Sequence, residues 1–185
     1  MEIRFFEPKF NQSVKEMILD IQQNEFLLPI TLSNQPDLLD IERSYQNKGG
    51  QFWVAVDSSS GHVIGCLGLV ALRDGNVALK KMFVAKTYRK LGLGKKLLEE
   101  FITYCYENSK KAIFLGTTSD FEAAQYFIKN LDLKKLLRQI YLKIFHVSLW
   151  ITVITLITLT KKADYVCFFG DKNFFLSRSI TSWLL

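Results

Sequence analysis

The sequence has few of the residues that build disulfide frameworks and metal sites. It contains three cysteines in 185 residues, Cys66, Cys105 and Cys167, and none of them forms a CxxC pair. It contains two histidines, His62 and His146. We therefore expect no disulfide scaffold, no metal ion and no histidine-based catalytic triad. Sparse, unpaired cysteines are typical of a reducing compartment, so we expect a cytoplasmic protein.

The chain also has little that indicates secretion or membrane insertion. Its first ten residues, MEIRFFEPKF, have neither the basic region nor the long apolar stretch of a signal peptide. Residues 147–160 form an uncharged run of 14 residues, of which five are Ser or Thr. A membrane anchor here is an open alternative, but a spanning helix needs about 20 apolar residues. We therefore expect no membrane partner.

Acidic residues, prolines and glycines become scarce toward the C-terminus. No Glu follows Glu122, no Pro follows Pro36, and Gly170 is the only glycine after Gly116. Residues 132–185 carry eight basic and three acidic side chains, which is +5 of the net charge of +6. Because the basic excess lies in this segment, it does not indicate a nucleic-acid partner, and we expect none.

The first 131 residues predict the element order β-α-α-β-β-β-α-β-α. Ser13 and Glu16 match a capping box at the start of the first helix, and Asp74-Gly75 indicates a tight hairpin. The predicted strands are 3–6, 51–57, 63–72, 77–84 and 112–115, and the last two helices are 92–107 and 119–130. Hairpins followed by a strand-helix-strand crossover predict an α/β fold with a mixed sheet and helices on both faces.

Several side chains are expected to serve packing rather than chemistry. The helix 92–107 has a predicted apolar face of Leu93, Leu97, Leu98, Phe101, Ile102 and Cys105. Phe52 and Trp53 lie in a strand and are interpreted as core, with the lining of a binding cleft as the alternative for one of them. His62 lies in a turn and is expected to be solvated.

The loop after residue 84 has the pattern Arg89-x-x-Gly92-x-Gly94 and leads directly into a helix. Glycines let the backbone pass close to a ligand, and the amides and dipole of a helix N-terminus favour an anion such as pyrophosphate. A plain strand-to-helix turn is the alternative on spacing alone. The pattern is not a Rossmann fingerprint, because the third glycine is missing. It is not a P-loop either, because Gly94-Lys95 is followed by Lys96 where a P-loop has Ser or Thr.

These motifs resemble those of GNAT N-acetyltransferases. The loop 89–94 is similar to the family's R/Q-x-x-G-x-G/A signature, and residues 79–84 (LKKMFV) to its L-x-x-M-x-V strand. Residues 114–118 and 123–130 resemble its fifth strand and the helix that follows. The resemblance covers residues 1–131. It implies a GNAT acyl-CoA acyltransferase fold, incomplete or altered at the C-terminus, and transfer of an acetyl group from acetyl-CoA to an amine by direct attack.

The resemblance also implies where acetyl-CoA binds. The co-substrate would lie between the strand ending at Val84 and the strand 112–115, and a backbone amide near Phe83 or Val84 would stabilise the oxyanion. The acceptor would be a small-molecule or protein amine that meets Glu25, Phe26 and residues 35–37, for which a surface loop and cap is the alternative. The implied cofactor-binding residues are Met82, Phe83, Val84, Arg89, Lys90, Leu91, Gly92, Leu93, Gly94 and Lys95.

No catalytic side chain is predicted. Many family members have a Glu base where this chain has Ala78, and a Tyr acid where it has Ile128. Tyr126, two residues earlier on the predicted helix, would face elsewhere. A non-catalytic acyl-CoA-binding module or inactive remnant is therefore the alternative function. Oligomeric state is open, with a homodimer as one option.

A shifted reading frame is our interpretation of residues 132–185. After Asn130 the family has Gly-Phe, and restoring one base at the codon of Asp132 yields that pair. The same frame turns Trp150-Ile151 into a codon for Asp, which the genetic code forces, whereas the other matches depend on codon choice. The sequence thus predicts a GNAT domain over 1–131 and an anomalous tail in place of its last strands.

Overall fold

The computed structural model describes residues 1–115; the predicted helix 119–130 and the tail lie outside these residues. The strands are β1 (Glu2–Phe5), β2 (Gln51–Val56), β3 (Val63–Ala71), β4 (Val77–Val84) and β5 (Ile113–Leu115). The α-helices are α1 (Asn11–Leu19), α2 (Ile41–Ser44) and α3 (Leu93–Glu107), and α1 continues into a π-helical segment, Asp20–Glu25. Short 3-10 turns occupy Pro8–Phe10, Leu32–Asn34, Pro36–Leu38, Gln46–Lys48, Arg73–Gly75 and Lys86–Tyr88.

The strands form one mixed sheet in the order β1-β2-β3-β4-β5. The pairs from β1 to β4 are antiparallel, and β5 lies parallel to β4, with α3 as the crossover. The predicted α/β fold with a mixed sheet is confirmed. The predicted hairpin is also confirmed: Asp74 and Gly75 have φ values of 61° and 79°, the left-handed conformation that a tight turn between twisted strands requires.

Helices cover both faces of the sheet. α3 packs on one face, and all six side chains of its predicted apolar face are buried. On the other face Val14 and Ile18 of α1 and Ile41 of α2 join a second core. Phe52 and Trp53 are 0% and 2% exposed and belong to the two different cores, so both serve packing and neither lines an open cleft.

The predicted start of α1 is wrong. The helix begins at Asn11, and Ser13 lies inside it rather than at its N-cap. Pro8 presets the backbone for a turn of 3-10 helix just upstream, which starts the helical chain earlier than the capping pattern indicates. The Asn11 side chain then donates to the Leu38 carbonyl (3.2 Å) and accepts from the Ile41 amide (3.1 Å), which fixes α1 against α2.

β4 contains a β-bulge that the sequence did not predict. Cys66 lies opposite Phe83 while Gly68 lies opposite Lys80, so β4 has one residue more than β3 between these pairs. Lys81 has a φ of 51°, in the left-handed region. A bulge bends its strand and redirects the residues that follow.

Candidate active site

Within residues 1–115, β4 extends beyond its pairing with β5, and we call this end of the strand the open edge. That pairing covers Val77–Leu79, the first part of the strand. On the opposite side the Ala85 amide donates to the Ile64 carbonyl at 2.9 Å. Because amides alternate in direction along a strand, the Val84 amide points away from β3. An extended ligand could bind this open edge.

The loop and the N-terminus of α3 have the geometry of an anion site. After the 3-10 turn 86–88 the chain passes Lys90 and Gly92, with φ values of 61° and 80°, and enters α3. Gly92 is the N-cap and offers no side chain to the first amides of the helix. Leu93 is 2% exposed, so only its backbone faces the loop, whereas Leu91 is 57% exposed.

A glycine in β3 brings this helix end close to β4. A Cβ atom on Gly65 would lie 3.2 Å from both the Phe83 carbonyl oxygen and Leu97 Cδ1, and 3.4 Å from Leu93 Cδ2. The first turn of α3 therefore rests on β3 beside the end of β4. Sequence reasoning missed Gly65, although a glycine inside an apolar strand is a signal for close backbone approach.

Arg89 does not stand free in the loop. Its Nε donates to the Val84 carbonyl at 2.8 Å, and its two terminal nitrogens bind both carboxylate oxygens of Glu25, one of them at 2.9 Å. The guanidinium also lies 6.0 Å from the centre of the Phe26 ring. The sequence interpretation placed Arg89 at the pyrophosphate and Glu25 at the acceptor, and the structure brings the two together.

A double-mutant cycle on this ion pair is expected to show a coupling free energy of about 1 kcal/mol, since bidentate pairs exceed ordinary surface pairs. Both side chains are partly exposed, at 30% for Arg89 and 22% for Glu25, which limits the gain. The measurement is urea unfolding of Glu25→Gln, Arg89→Gln and the double variant. Strictly additive losses would show that the pair contributes nothing of its own.

A second contact fastens the loop from the other side. The Tyr88 hydroxyl donates to Asp57 Oδ2, while Asp57 Oδ1 accepts from the amides of Ser59 (2.8 Å) and Ser60 (3.2 Å). Hydrogen bonds from Ser59, and then from Tyr88, hold the pKa of Asp57 well below its usual range. The loop is thus tied to the turn between β2 and β3.

A polar cluster lies on the α1 side of β4, and we call it the Lys81 network: Gln22, Gln35, Asp37, Tyr45 and Lys81. Lys81 Nζ donates to Gln35 Oε1 and lies 3.5 Å from Asp37 Oδ1. Gln35 Nε2 donates to Gln22 Oε1 at 2.7 Å, and the Tyr45 hydroxyl donates to Asp37. Burial, followed by Asp37, raises the pKa of Tyr45. The network joins the predicted acceptor segment to β4.

A cleft of about 230 Å³ opens where β4 ends. Apolar side chains form part of its wall, and two carboxylates, an amide and a lysine complete it. Its lining residues are Met17, Asp20, Ile21, Asn24, Glu25, Ala85 and Lys86. The cleft therefore has room for a small amine next to the backbone of β4.

Cys66 and Cys105 are 0% and 3% exposed, as the core interpretation of Cys105 predicted. Burial raises the pKa of each thiol to about 12, so neither forms a thiolate near neutral pH. A covalent acyl-cysteine intermediate on these two residues is therefore disfavoured. Over residues 1–115 no cluster of three metal-ligating side chains occurs. Across the same span no helix has the length and apolarity to cross a membrane.

The chain is similar to known acetyltransferases. A GNAT-family acetyltransferase from Staphylococcus aureus Mu50 is 44% identical, with a TM-score of 0.67, over 70% of this chain and 81% of that one. "Probable N-acetyltransferase camello" from Xenopus tropicalis is 32% identical over 102 residues, 54% of this chain and 46% of that protein. N-acetylaspartate synthetase from Danio rerio is 34% identical over 101 residues, 54% of this chain and 35% of that protein.

The chain spans less than half the length of these two curated relatives. The profile of the acetyltransferase (GNAT) family matches residues 15–132, which is more than half of the chain. The match includes the open end of β4, the glycine-capped start of α3 and the loop between them. The chain belongs to the GNAT family of acetyltransferases.

Proposed function

We propose that the protein transfers an acetyl group from acetyl-CoA to the amine of a small molecule or a protein. The observation that carries this proposal is the open edge of β4, which ends at Val84 beside a helix N-terminus capped by Gly92. An open strand edge can bind the amides of a pantetheine arm. Because Gly92 has no side chain to occupy the first amides of the helix, those amides can bind a pyrophosphate.

In this proposal acetyl-CoA binds at the last three residues of β4 and at the loop that follows the strand. The backbone of Met82–Val84 holds the pantetheine arm and thioester, and the amides of residues 90–95, with Lys90 and Lys95, hold the pyrophosphate. Strand alternation favours the Val84 amide over that of Phe83 as the donor to the oxyanion, because Val84 points away from β3. Such a donor accelerates the reaction to the extent that it binds the transition state more tightly.

The acceptor approaches through the cleft beside Ala85. Its amine, with an ordinary pKa of about 10.4, first loses a proton to reach its nucleophilic form. The neutral amine attacks the thioester carbonyl, and the oxyanion then collapses as the C–S bond breaks. CoA leaves as the thiolate, which takes up the proton that the attacking nitrogen loses when the amide forms. N-acetylaspartate synthetase and the N-acetyltransferases among the relatives support an amine acceptor.

Two measurements test the proposed function. We expect acetyl-CoA to raise the melting temperature, and we expect thiol release when an amine panel is added with acetyl-CoA. The control is the same assay without amine, which measures hydrolysis of the thioester. Absence of any stabilisation by acetyl-CoA and by free CoA would contradict the proposal.

The alternative is a non-catalytic acyl-CoA-binding module, which the side chain at Ala78 favours because it supplies no base. This alternative gives stabilisation by acetyl-CoA with no thiol release for any amine. Thiol release that saturates with the concentration of any one amine would exclude this alternative.

We further propose that the GNAT domain ends near residue 131 and that 132–185 come from a shifted reading frame. The composition of that segment supports this. The test is the genomic DNA around codons 130–133: an adjacent frame encoding two more strands is expected, and its absence would end the idea. A cytoplasmic location is part of the same proposal and is tested by cell fractionation.

A further inference from the structure

The bulge in β4 places a lysine where the backbone is costly for a side chain. Lys81 has a φ of 51°, a region that glycine adopts freely and lysine rarely does. Residues in such conformations persist when the surrounding structure fixes them. Two residues later, Phe83 and Val84 resume regular pairing with Cys66 and Gly65. The conformation at Lys81 thus sets the direction of the last three residues of β4, Met82–Val84.

The side chain of Lys81 is held on the acceptor side of the sheet. Its ammonium binds Gln35 Oε1 and lies 3.5 Å from Asp37 Oδ1, and the side chain is 14% exposed. Gln35 and Gln22 are 7% and 4% exposed and bind each other through both amides. Lys81 is therefore the link between the bulge and the segment that precedes α2.

We infer that Lys81 is a positioning residue for acetyl transfer, which holds the backbone of Met82–Val84 in register with the acceptor segment through Asp37 and Gln35. This inference rests on the proposed function. Lys81 itself contacts no reacting atom. Its contribution is to fix the amide that faces the thioester, where a displacement of about 1 Å can cost about 100-fold in rate.

The side chain of Lys81 is largely buried, and its burial affects its charge. Burial lowers the pKa of Lys81, and the carboxylate of Asp37 opposes that shift. A buried ammonium is retained only when it is paired, so Asp37 is the group that makes a charged lysine tolerable at the bulge. Its second oxygen accepts the Tyr45 hydroxyl, which orients the carboxylate.

Two replacements of Lys81 separate its side chain from its backbone conformation. Lys81→Met removes the ammonium and keeps the strain at positive φ, whereas Lys81→Gly removes the side chain and suits that φ. The matched control is Lys80→Met, which removes the same charge from the exposed neighbouring residue. We expect kcat to fall at least about 10-fold in both Lys81 variants, with the Kd for acetyl-CoA changed less than about threefold. The control should match the wild type.

Wild-type kcat in Lys81→Gly would overturn the inference, because backbone preference alone would then hold the bulge. Parallel losses of kcat, acetyl-CoA affinity and melting temperature would also overturn it, because they indicate a general structural role. Hydrogen exchange of the amides of residues 82–84 measures how firmly this backbone is held and does not depend on catalytic activity. Faster exchange in Lys81→Met than in Lys80→Met is expected, and equal exchange would refute the inference. If the wild type acetylates no amine, the proposed function fails, and the exchange comparison still shows whether Lys81 fixes the backbone of residues 82–84.

Discussion

Replacing Gly94 by aspartate is expected to weaken acetyl-CoA binding about 100-fold, which corresponds to about 2.7 kcal/mol. Gly94 is the second residue of α3, in the turn whose amides face the proposed pyrophosphate site. A carboxylate there repels the pyrophosphate and competes for the same amides. The same carboxylate interacts favourably with the helix dipole, which stabilises the helix itself. The measurement is isothermal titration with acetyl-CoA, together with the melting temperature of the free protein.

The matched control is Gly75→Asp, which introduces the same charge at the opposite end of β4. Gly75 has a φ of 79° in the tight turn before β4, a conformation that aspartate tolerates better than most residues. It should leave the Kd for acetyl-CoA within about twofold, because screened charges far apart interact weakly. Equal weakening by both variants would show that net charge, and not the helix terminus, governs binding.

Replacing Gly50 by alanine is expected to lower the free energy of unfolding by about 3 kcal/mol or more. A Cβ atom at this position would lie 2.2 Å from the backbone oxygen of Leu69 and 3.0 Å from that of Tyr45. Both obstacles are main-chain atoms, so a rotamer change cannot relieve the overlap. β2 begins at the next residue, and its register with β3 would have to shift. Urea unfolding followed by circular dichroism gives the value.

Gly61→Ala is the control for glycine replacement as such. Gly61 has a φ of 74° and no atom within 4 Å of an added Cβ, so only the backbone conformation is penalised, by about 1–2 kcal/mol. A smaller loss for Gly50→Ala than for Gly61→Ala would mean that the chain around β2 yields without cost. That outcome would contradict the close packing of Gly50 against Leu69.

The order of elements and the buried face of α3 follow from local patterns. Six apolar side chains at helical spacing identify that face, and β4 spans the predicted residues 77–84. The loop after β4 was also predictable, because Gly92 in a left-handed conformation before a helix is a local event. Periodicity and turn chemistry act over a few residues, and these features need nothing more.

The contacts that organise the site depend on residues far apart in the chain. Arg89 and Glu25 are separated by 64 positions, and Lys81 and Gln35 by 46. No local pattern indicates such pairs, since each partner alone resembles an ordinary surface charge or amide. The bulge at Lys81 was equally hidden, because an alternation of apolar residues does not reveal one extra residue in a strand.

The hydrogen bond between Tyr88 and Asp57 makes the turn between β2 and β3 a support for the loop proposed to bind the pyrophosphate. Surface turns usually tolerate exchange and insertion. Here a change of length or sequence in residues 58–61 reaches the loop after β4 through one carboxylate. A tag or a new turn grafted at this place should therefore keep Asp57. Without it, we expect the fold to remain intact and the affinity for acyl-CoA to change.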